Sequence, residues 1–171
     1  MAVMYIHTRP SLFVGTPTIV ELPSGPTHQS LKDLHAYWAS KKGARNAPPR
    51  SAIYPEEIAV ALLPFIALLD VMGEPPRFRV RLFGTGLVEA YGEDVTGKHL
   101  DEMYFGPIAA NVRAGFIEVV RQCRPLTVCV QLTRQIGTRY LEYERITLPL
   151  SQDGARVNMI LCGFAVAKTS H

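Results

Sequence analysis

Two extended apolar runs, residues 65–71 and Arg77–Phe83, flank Gly73-Glu74-Pro75-Pro76, a segment able to reverse the chain. This pattern constrains the fold more than any other stretch, because two strands joined so tightly must run antiparallel. The second run ends in Gly84-Thr85-Gly86 and gives way to short segments punctuated by Gly92 and Gly97. A short helix over residues 87–91 and a brief turn over 101–103 are expected there. Ile108, Val112, Phe116 and Val119 then recur at helical spacing, which predicts an amphipathic helix of roughly four turns. Pro125 prevents its extension into the next apolar run.

The last third changes period. Leu126, Val128, Val130 and Leu132 alternate with Thr127, Cys129, Gln131 and Thr133, the pattern of a strand with one apolar face. Gly137 permits a turn before a strand over 139–148, and Gln152-Asp153-Gly154 permits another before 157–166. The expected end is a three-stranded antiparallel meander, making five strands with the hairpin.

The start of the chain reads differently. Pro10, Pro17, Pro23 and Pro26 limit helix, so residues 1–29 read as an arm with a short strand around 18–22. Residues 30–54 read as an amphipathic helix and its connector. Ser30 can cap the helix, Leu31, Leu34, Tyr37 and Trp38 form its apolar stripe, and Lys41, Lys42 and Gly43 suit its end. Such a stripe must cover something, and a second subunit is one candidate. Pro55-Glu56-Glu57 has the chemistry of a helix start, continuing through 58–63 until Pro64. Residues 55–167 form the expected main domain, and 168–171 a tail.

Few functional classes find support. Apolar residues make up 47% of the 171 and charged ones 19%, which suits one folded domain and argues against general disorder. The net charge of +3 comes with no dense Lys/Arg tract, so nucleic-acid binding is a distant reading. Arg77, Arg79 and Arg81 alternate with Phe78, Val80 and Leu82 and read as the solvent face of one strand. Cys123, Cys129 and Cys162 form neither a disulfide framework nor a C-x-x-C site. His7, His28, His35, His99 and His171 show no paired metal spacing, and His99 reads as a satisfied loop residue. Cys129 would be a nucleophile only if the fold supplied a histidine. Glu142 and Glu144 share one strand face and could recruit a proton or metal, but the neighbouring Arg139 and Arg145 favour a solvent-exposed charged sheet. Gly84-Thr85-Gly86 lacks the spacing of a nucleotide-binding loop, and backbone permissiveness at a sharp turn explains it. No catalytic or metal-ligating set is therefore assigned. No apolar run is long enough to span a bilayer and no signal-peptide layout is present, so a cytoplasmic protein is expected.

The order of hairpin, short helices, long helix and meander resembles the Per-Arnt-Sim (PAS) sensory domain, in particular a bacterial subfamily with a characteristic motif string. The chain offers Leu34-His35-Ala36-Tyr37-Trp38, Pro49-Arg50, Pro55-Glu56-Glu57-Ile58, Leu62-Leu63-Pro64 and Leu68-Leu69-Asp70-Val71. It continues with Arg77-Phe78-Arg79-Val80-Arg81-Leu82-Phe83-Gly84-Thr85 and Gly92-Glu93-Asp94-Val95-Thr96-Gly97. It departs at Lys42, where the subfamily has arginine before the glycine. The resemblance spans about residues 30–166. It implies an α+β fold, a five-stranded antiparallel sheet with helices on one face plus an N-terminal helical extension. It further implies a non-enzymatic regulatory domain that binds a small ligand, a signalling partner, or both. Two rivals are a protein-interaction module with a filled core and a small α+β enzyme using the central pocket. Tyr91, Tyr104, Phe116, Tyr140 and Tyr143 are the candidate lining of a pocket. Leu31, Leu34, Tyr37 and Trp38 are the candidate surface for a homodimer or regulatory protein partner. Haem and flavin occur among PAS proteins, but no histidine or cysteine context here assigns either, and the cofactor stays unknown.

Overall fold

The computed structural model describes residues 13–103, 106–134 and 140–167. The hairpin forms as its turn chemistry requires. Strands β2 (Ile66–Met72) and β3 (Arg77–Phe83) pair antiparallel, with Met72 opposite Arg77 and a register irregularity between Leu68 and Leu69. Strands β4 (Leu126–Arg134), β5 (Tyr140–Leu150) and β6 (Met159–Val166) form the meander, and β6 joins it to β2.

Among the described residues the sheet has six strands, not five, in the order β1-β4-β5-β6-β2-β3, with every pair antiparallel. The added strand, β1 (Phe13–Glu21), extends well beyond the short strand expected and lines up with β4. Pro17 disguises it in the sequence. An edge strand tolerates proline where the ladder is already interrupted, and here the register shifts between Val14 and Thr18.

Period-2 alternation gives the sheet two apolar faces, each covered by helical segments. Helices α2 (Thr85–Tyr91), α3 (Leu100–Met103) and α4 (Gly106–Gln122) close one face, over Leu69, Val80, Val130, Leu141 and Tyr143. Helix α1 (Gln29–Lys42) and the following connector close the other, over Ile146, Leu148, Leu150 and Leu161. Strand β5 therefore lies inside the sheet and between two layers. None of the described helices is long and apolar enough to cross a membrane.

Three expectations about the N-terminal third need correction. Ser30 does not cap α1: the helix begins at Gln29 with His28 at the cap position and no side-chain cap bond. The Glu144 carboxylate in β5 instead accepts hydrogen bonds from the Thr27 backbone N–H (2.6 Å), the Thr27 hydroxyl and the His28 N–H (3.4 Å), a favourable place for negative charge. The apolar stripe of α1 is not an open surface either. Leu31, Leu34 and Trp38 are buried against this chain's own sheet, and the Trp38 indole N–H donates to the Pro149 carbonyl at 2.8 Å. The half-buried Tyr37 donates its hydroxyl to Glu57 at 2.7 Å and accepts the Tyr54 N–H at 2.8 Å. Finally, 55–63 is not one helix. It consists of tight three-residue turns at Pro55–Glu57 and Leu63–Phe65, with extended backbone at Ile58 (φ −93°, ψ 139°) between them. Each short turn closes with an i to i+3 bond, as from Ile58 N–H to Pro55 C=O, the tight pattern that runs for only a few residues.

Candidate ligand cavity

A small cavity lies between the sheet and the α2–α4 layer. Strand β5 sends Leu141, Tyr143 and Arg145 to it, β6 sends Cys162 and Phe164, and the helices contribute Leu87, Tyr91, Met103 and Phe116. Its volume is about 50 Å³. That is room for one or two waters, well below the roughly 150 Å³ that accepts benzene in an engineered apolar cavity. A ligand of several carbons would need the lining side chains to move.

The position of α2 depends on close backbone approach. Gly84 has φ −59° and ψ 152°, values open to most residues, so conformational permissiveness is not the reason for glycine here. A Cβ at Gly84 would sit 2.2 Å from the Pro64 carbonyl oxygen, and one at Gly86 would sit 2.7 Å from the Phe65 ring. The two glycines let α2 start directly against the turn before β2, which brings Leu87 and Tyr91 over the cavity.

Of the five residues expected at a pocket, the structure brings Tyr91, Phe116 and Tyr143 together on the cavity wall. Tyr104 lies outside the described residues, and Tyr140 is described only as the first residue of β5. Tyr91 is buried, its ring packs edge-on to Phe83 at 6.0 Å, and its hydroxyl reaches the Met103 carbonyl at 3.4 Å. Burial, with Glu93 and Tyr143 nearby, pushes its phenol well above the ordinary value. The buried Tyr143 ring packs at 5.3 Å from Phe164, and burial raises its phenol despite the opposing charge of Arg145. No hydrogen bond to the Tyr143 hydroxyl forms among the described residues. Cys162 is fully buried and its thiol is pushed up to about 11, mainly by burial.

Arg145 was expected on an exposed charged sheet, and the structure reverses that: it is only 4% exposed. Its guanidinium stacks over the Phe116 ring at 4.5 Å, and its Nε donates to the Thr147 hydroxyl at 3.0 Å. The misreading has a physical cause. Whether a strand alternates polar and apolar or carries buried charge depends on how many layers cover it, and sequence spacing does not show that β5 is covered on both faces. The available signal was parity, since Arg145 shares a face with Tyr143 and Leu141.

Other candidate chemistry is weakly placed. Cys129 is not an activated thiol: burial, then Glu144 and Glu142, raise its pKa. His99, Asp101 and Glu102 converge within 4.8 Å, but both carboxylates are engaged. Asp101 takes two bonds from Arg77 (2.9 and 3.1 Å), and Glu102 accepts the His99 N–H while lying 3.0 Å from its ring, so His99 is satisfied as expected. Arg79 and Arg81 line the solvent side of β3 and both reach Asp70.

Comparison with known proteins agrees with this architecture. A family model described as a PAS domain matches residues 26–164. No curated protein matches. Among solved structures, that of an RNA-binding light-oxygen-voltage receptor superposes with a TM-score of 0.50 at 15% identity. The alignment covers 90% of this chain and 39% of that one, so the chain spans well under half of the receptor's length.

Proposed function

The chain belongs to the PAS domain family of non-catalytic sensory and regulatory modules, and on that premise we propose that it senses a small molecule in the cavity beneath α2, α3 and α4. The observation that carries this reading is the cavity's position: an occupant would touch three helices and strands β2, β3, β5 and β6 at once. An occupant that packs better against one helix arrangement than another shifts the population between them, and equal affinity for both would transmit nothing. The output passes by contact to a second copy or a regulatory protein, and a cytoplasmic setting belongs to the same proposal.

The small volume of the cavity favours one alternative, an interaction module whose interior is nearly filled by its own side chains. Native mass spectrometry of gently purified protein, with absorption recorded on the same sample, separates the two. A reproducible bound mass, or a mass gained on adding small molecules, is the expected result. Protein that stays ligand-free through a broad small-molecule screen would overturn the sensor reading in favour of the interaction module.

A further inference from the structure

We propose that the cavity selects a small organic acid, its carboxylate seated on the Arg145 guanidinium and the Tyr143 hydroxyl and its short apolar tail among the aliphatic and aromatic side chains around them. The proposal rests on the sensor reading above and names the chemistry of the occupant.

Three charged side chains are buried among the described residues, and two of them are answered. Asp70 is paired with Arg79 at 2.9 Å and Arg81 at 3.3 Å. Glu144 is held by the hydroxyl and backbone donors of Thr27 and by the His28 N–H. Arg145 alone lacks an answering acceptor for most of its donors. A guanidinium carries five N–H donors and does not lose its proton in a protein. One donor of Arg145 goes to Thr147, and none of the others meets an acceptor among the described residues. Its neighbours across the sheet are Val128 on β4 and Phe164 on β6, and Phe116 covers it from α4. The aromatic face compensates part of the lost hydration but accepts no conventional hydrogen bond.

An unanswered cation in an apolar enclosure favours an anion. The form of the anion follows from the surroundings. A planar fork of donors matches a carboxylate in two-point contact. The Tyr143 hydroxyl, two residues along the same strand face and also without a partner among the described residues, can supply a third bond. One cation and one hydroxyl suit a monoanion better than phosphate. Apart from the Cys162 thiol and the Met103 thioether, the rest of the wall is aliphatic or aromatic, which suits a tail of a few carbons, and the volume of about 50 Å³ argues against a long one.

The test is isothermal titration of the full chain with acetate, butyrate and hexanoate, against 1-butanol as the uncharged counterpart and sodium chloride at matched ionic strength. The same titrations are run on Arg145→Met and Tyr143→Phe. The expected result is that at least one acid binds, that 1-butanol binds at least about tenfold more weakly, and that Arg145→Met loses at least about tenfold in acid affinity, as expected for losing a charge-assisted hydrogen bond. Tyr143→Phe should show a smaller loss. The acid-to-alcohol comparison on the unmodified protein and the Tyr143→Phe titration keep the test decisive if Arg145→Met does not fold. Equal binding of butanol and butyrate, or full acid affinity in a folded Arg145→Met, would overturn the carboxylate assignment and leave the sensor reading standing. Absence of binding by every acid would likewise overturn the carboxylate assignment, while the sensor reading is decided separately by the broad small-molecule screen.

Discussion

Replacing Trp38 separates a core role for α1 from a role as a surface between subunits. The side chain is 3% exposed, packs in the layer formed with Leu31, Leu34 and the far face of the sheet, and donates its indole N–H to Pro149 at 2.8 Å. Truncating a buried tryptophan to alanine costs about 3–5 kcal/mol in lost burial and cavity formation. Leaving the Pro149 carbonyl without its donor adds about 1–3 kcal/mol unless water reaches it. Domains of this kind are typically stable by about 5–15 kcal/mol, so Trp38→Ala should lie near the edge of folding. Trp38→Phe keeps an aromatic body and loses the donor, and should cost about 1–3 kcal/mol. Urea denaturation followed by far-ultraviolet circular dichroism reads both, because the protein has one tryptophan and these variants remove that fluorophore. The loss should not depend on protein concentration. A Trp38→Ala protein within about 1 kcal/mol of the parent would refute the argument, since it falls below the range for buried aromatic truncation. A loss that vanishes on raising concentration would return Trp38 to the subunit surface that its sequence position first suggested.

Gly84→Ala should destabilise by about 2–3 kcal/mol, because the new Cβ meets the Pro64 carbonyl at 2.2 Å and backbone must move. Gly163→Ala should cost about 1 kcal/mol, since its 2.5 Å contact is with the rotatable end of Leu34, and equal losses in thermal unfolding would contradict the distinction. Cys162, fully buried with its thiol pushed up to about 11, should resist an aromatic disulfide reagent at pH 8 until the protein is unfolded, and rapid labelling of Cys162 in peptide mapping of native protein would refute its placement. Burial alone would raise Glu144, but the Thr27 hydroxyl and N–H and the His28 N–H outweigh it and hold the carboxyl below its ordinary value. Its stabilising contribution is therefore complete above the unfolded-state pKa and is lost as pH falls through the lower folded value. Glu144→Gln should cost about 1–2 kcal/mol at neutral pH and flatten the acid limb of a stability–pH curve, and an unchanged acid limb would disprove the clasp.

The legible and illegible parts of this fold divide along local and non-local information. The β2–β3 hairpin, the meander and α4 were visible because Gly73-Glu74-Pro75-Pro76, the alternation from Leu126 to Thr133 and the spacing of Ile108, Val112, Phe116 and Val119 act within a few residues of themselves. Strand β1 was underestimated because Pro17 opposes strand locally, and only the edge position beside β4 makes it acceptable. The tyrosines and phenylalanine of the cavity were found by residue type. The buried state of Glu144 and Arg145 was missed because it depends on layers contributed by α1 and α4, far away in sequence.

Strand β5 makes that non-local dependence mechanically consequential. Tyr143, Arg145 and Thr147 lie on the cavity side, while Glu144, Ile146 and Leu148 face the layer built on α1. Cores are packed closely enough that a strand cannot shift toward one layer without changing its fit to the other. Glu144 holds the residues just before α1, and Pro149 accepts the Trp38 indole, so two hydrogen-bonded links tie this one strand to the helix on the opposite face. A change of occupancy that displaced Arg145 would therefore alter its sequence neighbour Glu144 and, through it, the seating of α1. Helices α2 and α3 offer the other route, since both line the cavity directly and a response through them need not cross the sheet. The physical distinction is which layer has two arrangements of similar free energy, because coupling follows the element whose equilibrium the ligand biases and not the shortest chain of contacts.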